Sequence, residues 1–558
     1  MQGPGMPSSQ GGGAIDTAML CFFDFTFMRA SCEGDRRRRV FGIFGVAVVL
    51  TVAAGLRLPS LNDRPMHADE ATGARILSWQ LEGRPFVFDP AHFHGPWLTV
   101  ATAVPARALG AGDWTELSKV AVRAPTALAG LAAVLVAALL PRALRAGGGA
   151  GEARPTVPAI PRGSGVWAAA FVGTSPLLVY YSGVFIHETW LVLFGLSALL
   201  AVLRLLARPG VAVALAAGLC IGLMAAVRET FVIAVAAWGL AGILFLWRKS
   251  EGSPLGRVAQ VRAHFRPLAR PLGVALGTTA LVTTVAYTGF GRDPGGILDF
   301  LKTYFVYETT PGHDKSWDAY LRLLLWPKSA AGFGWTELGI VLVAFIGYFS
   351  GNGPGRDWRR FLVDAAAFQF LVYSLIAYKT PWLVMLPWAQ LCLAAGLAAG
   401  ELMRGWPSRR SLALAVVLLA LCGWQATQAY RAVFVLPSDA RNPYAYVPTA
   451  PDLERATEWL ESFAAAHPGL LAAPPAVVGV DYWPLPWYLR HLGPVGYYAT
   501  PPPDLARRPL VFLAPPDAAE HLELLRATHR VLPRGLRHET PLYVCIRRDV
   551  WAAWMTNG

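Results

Sequence analysis

Long apolar runs alternate with short basic or mixed segments along this chain, which is the pattern of a protein that crosses a membrane many times. A helix needs about 20 apolar residues to span the ~30 Å hydrocarbon core of a bilayer. Runs of this kind predict about eleven spans, at 40–56, 119–141, 165–182, 189–207, 211–227, 230–247, 271–289, 335–350, 361–378, 382–400 and 411–430.

The basic residues orient these spans, because loops that stay in the cytoplasm carry an excess of Lys and Arg. Arg36–Arg39 precede the first span, so the N-terminus is predicted to be cytoplasmic and Arg57 to emerge outside. Counting onward from there places the most basic linkers inside, at 142–162, 248–270, 356–360 and 404–410.

This orientation requires that the half-apolar segment 95–109 does not span. We predict that it lies along the outer membrane surface as an interfacial helix. The first external loop then runs over residues 57–118. Residues 1–39, rich in Gly and Ser and ending in arginines, are expected to form a disordered basic leader.

After residue 430 the long apolar runs give way to Pro, charged residues and short apolar stretches. The pattern predicts helices at 452–466 and 518–529 and strands at 476–480, 509–513 and 542–546. The predicted fold is therefore a polytopic α-helical membrane protein over 40–430, followed by an extracytoplasmic α/β domain over 431–558.

Composition excludes several other classes of protein. With 54% hydrophobic and 15% charged residues the chain is too apolar to be soluble. The net charge of +13 lies in short runs between apolar segments and does not indicate nucleic-acid binding. The six cysteines contain no CxxC pair, so they predict neither a disulfide framework nor a zinc site. No glycine-rich nucleotide loop occurs.

The first external loop opens with Met-His-Ala-Asp-Glu-Ala, which places His67, Asp69 and Glu70 just before a predicted helix. Both acids could cap the first turn of that helix, and for Glu70 capping is the favoured interpretation. For Asp69 the favoured interpretation is catalytic, because a carboxylate at the membrane surface can take a proton from an attacking hydroxyl. Glu70 remains the alternative base.

The same loop continues with Phe-Asp-Pro-Ala-His-Phe-His-Gly-Pro, which contains His92 and His94. Histidines in such a turn could simply bond the backbone, or His94 could contact substrate. A divalent metal is left open at His67, His92 and His94, although their spacing does not demand one.

Further candidates lie at the external ends of later spans. His187 and Glu188 are predicted to line a cavity, and Arg228 either pairs with an acid or holds a phosphate. Lys379, beside Trp382, lies outside against the positive-inside pattern, which favours a phosphate contact over snorkelling. Tyr307 belongs to an aromatic loop suited either to sugar stacking or to an interfacial belt.

Taken in order, these motifs resemble the GT-C membrane glycosyltransferases of the protein O-mannosyltransferase and aminoarabinose-transferase group. The resemblance rests on the acidic pair after the first span, the His-Gly-Pro element, the Arg-x-Pro-x-Ala-Leu start of the second span at 123–128, and the acid after the third span. The segments 378–382, 442–449 and 482–490 are similar to a branch labelled as flippase-activity-associated proteins of glycan assembly.

The resemblance implies an inverting transfer of sugar from a polyprenyl-phosphate donor to a hydroxyl acceptor, with an external-loop Asp as base. That role falls on Asp69, and Glu188 stands where relatives usually have a second Asp. The expected partners are a lipid-linked sugar, a glycan, lipid or protein acceptor, and the bilayer. The alternatives are a flippase or flippase accessory for lipid-linked glycans and a non-catalytic glycan-binding scaffold.

Overall fold

The structure is a computed structural model that describes residues 33–145, 160–161, 163–207, 209–306, 312–351, 354–404, 408–471, 473–516 and 518–557. Most of the predicted leader and Tyr307 lie outside these ranges. The first helix begins at Glu33, ahead of the predicted start at Val40, so the end of the predicted leader is helical.

Helices make up most of the described chain before residue 436. They are α1 (Glu33–Arg57), α2 (Ala68–Leu81), α3 (Trp97–Ala108), α4 (Lys119–Arg145), α5 (Ser164–Thr174), α6 (Pro176–Ser182), α7 (Glu188–Ala207), α8 (Val211–Val227), α9 (Phe231–Lys249), α10 (Pro254–Phe265), α11 (Ala269–Tyr287), α12 (Gly296–Val306), α13 (Ala319–Leu324), α14 (Leu338–Phe349), α15 (Pro354–Leu375), α16 (Met385–Arg404) and α17 (Ser408–Tyr430). A short hairpin, β1 (Lys328–Ala330) and β2 (Phe333–Trp335), precedes α14.

Helices stand at the predicted spans, although α15, at the predicted span 361–378, is not one of the apolar helices. In the described part of the chain, 6 are long and apolar enough to cross a membrane, at Lys119–Pro141, Glu188–Leu206, Phe231–Lys249, Pro254–Tyr287, Pro381–Arg404 and Arg409–Val435. Shorter apolar helices occur at Gly42–Arg57, Ser164–Thr174, Val211–Val227 and Leu338–Phe349. The chain is an integral membrane protein, and the number and direction of its spans remain predictions.

The predicted third span is two helices, because Pro176 interrupts it. Proline lacks the N–H that would continue the helix, and it forces the preceding residue away from helical geometry. Ser175 accordingly has φ −55° and ψ 120°, and α6 starts with Pro176. The break turns the Ser175 side chain toward the centre of the bundle.

The loop between α1 and α4 contains two helices. α3 has 12 residues, about 18 Å of helix, which is too short to cross a bilayer. This length agrees with the prediction that the segment 95–109 does not span. α2 packs on α3 and carries Asp69 in its first turn.

The C-terminal part forms a five-stranded mixed sheet in the order β4-β3-β5-β7-β6. Its elements are α18 (Pro451–Ala466), β3 (Ala476–Val478), α19 (Leu485–Tyr488), β4 (Gly496–Tyr498), β5 (Leu510–Leu513), α20 (Ala518–Leu525), β6 (His529–Arg537), β7 (Thr540–Arg547) and α21 (Arg548–Asn557). The central strands β3 and β5 are fully buried apolar runs and were predicted correctly.

One boundary prediction was wrong, because α20 ends at Leu525 rather than at residue 529. His529 instead starts β6, where its strand pairs antiparallel with β7 at Arg547. The long ladder with β7 outweighs the weak helical pattern after Leu525. The strands β4 and β6 and the helix α21 were not predicted.

The C-terminal sheet and the first external loop share one hydrophobic core. Met66 and Leu77 of the loop pack in the same buried cluster as Trp487 and Phe512. The Tyr488 hydroxyl accepts a hydrogen bond from the Met66 N–H at 2.7 Å. The sheet therefore rests directly on the loop that carries the candidate catalytic acid.

Candidate active site at the end of the first helix

Asp69 lies in the first turn of α2, with 55% of its side chain exposed. The helix is capped by His67, whose Nδ1 accepts the Asp69 N–H at 3.2 Å. Because Nδ1 accepts, Nε2 carries the proton and donates to the Tyr446 carbonyl oxygen at 3.1 Å. The cap therefore leaves the Asp69 carboxylate itself open to solvent, 4.0 Å from the His67 ring nitrogen.

Glu70, the other member of the acidic pair, is fully buried and completes the cap. Its carboxylate accepts the His67 N–H at 3.0 Å, and Arg123 Nε and a terminal Arg123 nitrogen each at 2.7 Å. It also accepts the Phe185 N–H at 2.8 Å. Burial opposes its ionisation, but the Arg123 guanidinium prevails and lowers the pKa of Glu70 to about 2. The capping interpretation is confirmed for Glu70.

Aromatic side chains from distant segments surround His67. Its ring meets Trp382 edge-on at 6.0 Å, and Trp382 in turn packs edge-on against Tyr181 and Tyr446, each at 5.5 Å. The Tyr446 hydroxyl and His313 Nδ1 are 2.5 Å apart. Three of the sequence segments singled out above, around residues 67, 382 and 446, thus meet at one place.

Lys315 and Asp69 set the electrostatics of this cluster. The Lys315 ammonium lies 4.0 Å from the centre of the Tyr446 ring. Burial lowers the pKa of His313, with the Asp69 carboxylate opposing the shift and Lys315 adding to it. Burial and the Asp69 carboxylate together raise the pKa of Tyr446 to about 12. His313, Lys315 and Tyr446 were not among the predicted site residues.

A cavity opens beside His67, the neighbour of Asp69, with an empty volume of about 370 Å³ including the space open to solvent. Its wall combines aromatic, basic and small polar side chains, among them Arg64, His67, Tyr180, Tyr181, Trp382 and Tyr446. Such a mixture of apolar walls and a few polar groups is typical of small-molecule sites.

A second cluster joins four of the predicted residues at the ends of α7, α8 and α9. Arg228 forms an ion pair with Glu188 and lies 3.6 Å from Glu229, whose other oxygen is 3.2 Å from His94 Nδ1. The His94 and His187 rings meet edge-on at 5.3 Å. Arg228 is thus paired with acids, and Glu188, only 3% exposed, faces Arg228.

Charges inside this second cluster fix its protonation. Burial raises the pKa of Glu229, but His94 and Arg228 outweigh it and lower that pKa to about 2. Burial, with His94 and Arg228 adding to it, lowers the pKa of His187 well below its usual value. These directions favour a charged Glu229 beside a neutral His187, whose Nε2 is 3.2 Å from the Gly95 carbonyl oxygen.

Gly95 explains the His-Gly-Pro element. A Cβ at this position would lie 2.1 Å from the Ala226 carbonyl oxygen and 3.0 Å from the Tyr287 hydroxyl. Only glycine lets the loop approach the end of α8 this closely. The contact places His94 against Glu229.

Lys379 is 2% exposed and donates from Nζ to the carbonyl oxygens of Lys315 and Ile376. The Lys379 backbone N–H donates to the His313 carbonyl oxygen at 3.1 Å. This bond ties Lys379 to the aromatic residues around His67. In the described ranges no acid lies within ion-pair distance of this ammonium, so its phosphate role remains a prediction.

The three candidate metal ligands do not form one site in the structure. His92 pairs with Asp89 at 2.9 Å on the surface, while His67 caps α2 and His94 contacts Glu229. Over the residues that the structure describes, no group of three or more His, Cys, Asp or Glu side chains is arranged to hold a metal ion.

A buried carboxylate, Glu337, was missed entirely. It accepts hydrogen bonds from the Ser175 hydroxyl at 2.6 Å, the Trp388 indole at 2.9 Å and the Tyr444 hydroxyl at 3.1 Å. An acid at the edge of a predicted span was the available signal, because such residues are rare and costly there. Through Tyr444 it ties the segment that carries Tyr446 to the helices.

No protein-family model matches the sequence, and no curated protein matches it. Among solved structures the chain is similar to ArnT from Cupriavidus metallidurans. Against its apo state the TM-score is 0.57 at 16% identity, covering 92% of this chain and 99% of that one. Against its complex with undecaprenyl phosphate the TM-score is 0.53 at 17% identity, covering 91% and 98%.

An oligosaccharyltransferase from Archaeoglobus fulgidus aligns with a TM-score of 0.47 at 14% identity, covering 83% of this chain and 64% of that one. The narrower resemblance to flippase-activity-associated proteins remains a prediction. The chain is thus a polytopic membrane protein with the GT-C fold, the fold that ArnT has.

Proposed function

We propose that this chain is a glycosyltransferase that moves a sugar from a polyprenyl-phosphate donor to a hydroxyl acceptor on the extracytoplasmic face of the membrane. One observation carries the proposal: of the acidic pair at the start of α2, Glu70 is buried and neutralised by Arg123, whereas Asp69 is exposed 4.0 Å from His67, which lines an aromatic cavity. The shared fold with ArnT, whose structure was solved with undecaprenyl phosphate, supports a lipid-linked donor.

In the proposed reaction the acceptor hydroxyl attacks the anomeric carbon from the side opposite the phosphate. The new bond joins the acceptor oxygen to that carbon, the bond from the carbon to the phosphate oxygen breaks, and polyprenyl phosphate leaves with the electron pair. Asp69 takes the hydroxyl proton. A single displacement of this kind inverts the configuration of the sugar.

The surrounding residues have separate proposed roles. The rings of Trp382, Tyr181 and Tyr446 form a wall against which a sugar can pack. Lys379, buried beside this wall, contributes positive charge toward the donor phosphate. At one side of the site, the loop before α3 is held against the ends of α7, α8 and α9 by His94, His187, Glu188 and Arg228. No observation favours the flippase alternative, because none of the candidate residues lies at the centre of a span.

The test has two stages. First, lipids and glycans of a strain that lacks this gene are analysed by mass spectrometry, and the proposal expects a truncated glycan together with accumulated polyprenyl-phosphate sugar. Second, the strain is complemented with wild type, Asp69→Asn or Asp63→Asn. Asp63 is the matched control, because it is an exposed acid of the same loop outside α2.

Asp69→Asn keeps the side chain's shape but cannot accept the proton, so transfer by the purified protein should fall by about 10² to 10⁴. Asp63→Asn should restore the glycan fully. An unchanged glycan profile in the deletion strain would refute the proposed function. Normal turnover in Asp69→Asn would remove Asp69 from the mechanism.

A further inference from the structure

A row of half-exposed aromatic side chains leads away from Asp69 between α2 and the C-terminal sheet. It consists of Trp79, Trp114, Tyr482, Trp483 and Tyr497. Together with Arg75, which lies among these rings, it is called the aromatic groove below. Arg75 lies over the rings of Trp79 and Trp114 at 5.9 and 5.1 Å. The Tyr482 ring pairs with Trp483 at 6.1 Å and with Tyr497 at 5.0 Å.

Contacts show that the groove residues of the first external loop, Arg75, Trp79 and Trp114, are neighbours of those of the C-terminal part, Tyr482, Trp483 and Tyr497. Trp114 meets Arg75 of α2 on one side and the Trp487 ring, at 5.6 Å, on the other. Trp487 belongs to the same short turn of chain as Tyr482. Burial raises the pKa of Tyr497, Tyr482 adds to that shift and the Arg75 charge opposes it.

Along α2 the groove begins beyond Asp69 and about 120° around the helix from it, because each residue turns the helix by about 100°. Arg75 follows Asp69 by six residues on the same helix, which corresponds to about 9 Å along the axis. Trp79 lies one turn further along.

The opposite wall of the groove, in the C-terminal part, is joined to the loop that carries Asp69. Thr449 donates from its hydroxyl to the Met66 carbonyl oxygen at 2.7 Å, and it pairs in a β-bridge with Arg537. Arg537 forms an ion pair with Asp481, whose side chain is 51% exposed and which directly precedes Tyr482. Both walls therefore run from the loop that carries Asp69 to exposed rings.

The chemistry of this surface matches a carbohydrate chain. A sugar ring offers an apolar C–H face that packs on aromatic rings, and hydroxyls at its edge that bond to charged groups. The groove supplies both kinds of group, since Tyr497 is 38% exposed, Arg75 lies over the rings of Trp79 and Trp114, and the half-exposed Asp481 directly precedes Tyr482.

We propose that the aromatic groove binds the glycan acceptor, holding sugar units beyond the one whose hydroxyl reaches Asp69. This inference rests on the proposed function and adds the class of acceptor, a carbohydrate chain. Rings from both walls would pack on the glycan and set which hydroxyl is presented for transfer.

The experiment uses the truncated glycan that accumulates in the deletion strain as the acceptor probe, with the full-length protein. The double variant Tyr482→Ala and Tyr497→Ala should raise KM for this glycan about tenfold, because two stacking rings are lost. The kcat value should stay unchanged. Tyr482→Phe with Tyr497→Phe keeps both rings and should restore KM.

Trp459→Ala is the matched control, because Trp459 is 37% exposed on α18, away from the groove, and KM should not change there. An unchanged KM in the double alanine variant would overturn the inference while leaving the proposed function intact. A loss confined to binding of liposomes would also overturn it, since the groove would then contact lipid. If wild type does not transfer sugar to the truncated glycan, the proposed function fails and this inference fails with it.

Discussion

The side chains of Glu70 and Arg123 form a two-pronged ion pair in which neither has any exposed area. The remaining Arg123 donors bond the carbonyl oxygens of Leu61, Arg64 and Pro65. One arginine of the second predicted span therefore fixes both the cap of α2 and the turn that leads into it. The position of Asp69 depends on this pair, although neither partner is exposed to substrate.

Breaking the pair should destabilise the protein strongly. Glu70→Gln leaves the Arg123 charge buried without a counter-ion, which costs about 3 to 5 kcal/mol. Thermal unfolding in detergent measures the effect. Glu82→Gln is the control, because Glu82 is a partly exposed acid just after the same helix, and it should change stability by no more than ~0.5 kcal/mol. Equal melting of the two variants would contradict the role assigned to Glu70.

The same pair predicts loss of stability in acid. The pKa of Glu70 is lowered to about 2 in the folded protein, compared with about 4.3 in an unfolded chain. The stabilisation is therefore fully present above about pH 4.3 and disappears as the pH falls toward 2. Unfolding followed from pH 6 to pH 2.5 should show a steeper decline in wild type than in Glu70→Gln. Parallel curves would refute the assignment.

Topology can be tested with single cysteines in a variant that lacks the six native ones. Arg84→Cys, after α2, and Ala440→Cys, before the C-terminal sheet, both lie at exposed positions and should react with an impermeant thiol reagent in intact cells. Ala259→Cys on α10 is predicted to be cytoplasmic and should react only after permeabilisation. Protection of the first two positions in intact cells would invert the topology and exclude the proposed mechanism.

Lys379 should matter for the lipid donor. Lys379→Ala removes a charge-assisted contact worth about 1.5 to 3 kcal/mol, so the affinity for polyprenyl phosphate should fall by about 10- to 100-fold. Lys302→Ala, at a lysine that is 61% exposed beside Asp299, should bind polyprenyl phosphate like wild type. Calorimetric titration with polyprenyl phosphate measures both. Equal affinity in Lys379→Ala would show that this lysine only bonds its carbonyl partners.

Gly95→Ala should displace the loop that holds His94, because the added Cβ would lie 2.1 Å from a backbone oxygen. We expect a destabilisation of about 1 to 3 kcal/mol, typical of an overpacked position. Gly55→Ala in α1 has no heavy atom within 4 Å of the added Cβ and serves as the control. Wild-type melting of Gly95→Ala would mean that the loop and the end of α8 are not in this tight contact.

The sequence predicted the helices well because each apolar run is a local pattern. It also predicted the buried strands β3 and β5, whose residues are apolar without interruption. It missed β4, which has 3 residues, and β6, whose alternation is irregular and whose strand exists because β7 pairs with it.

In the candidate site too, residues that form a local pattern were found, and residues that only tertiary contacts bring together were not. Asp69 and Glu70 are adjacent in sequence, so a local pattern finds them, but only the tertiary contact with Arg123 distinguishes their roles. His313 and Tyr446 lie 133 positions apart, and no spacing rule connects them. Glu337 stands at the edge of an apolar run, where its three side-chain partners come from three separate segments.

The Glu337 network also bears on the order of synthesis. Its last donor, Tyr444, is 107 positions further along the chain. At roughly 5 to 20 residues per second, translation supplies that hydroxyl about 5 to 20 seconds after the carboxylate is made. Until then the acid lacks one of its partners while the neighbouring helices are already in the bilayer. The membrane part therefore completes its own interior only once the chain beyond it has been made, so a chain cut short at residue 430 would leave this carboxylate without its Tyr444 donor.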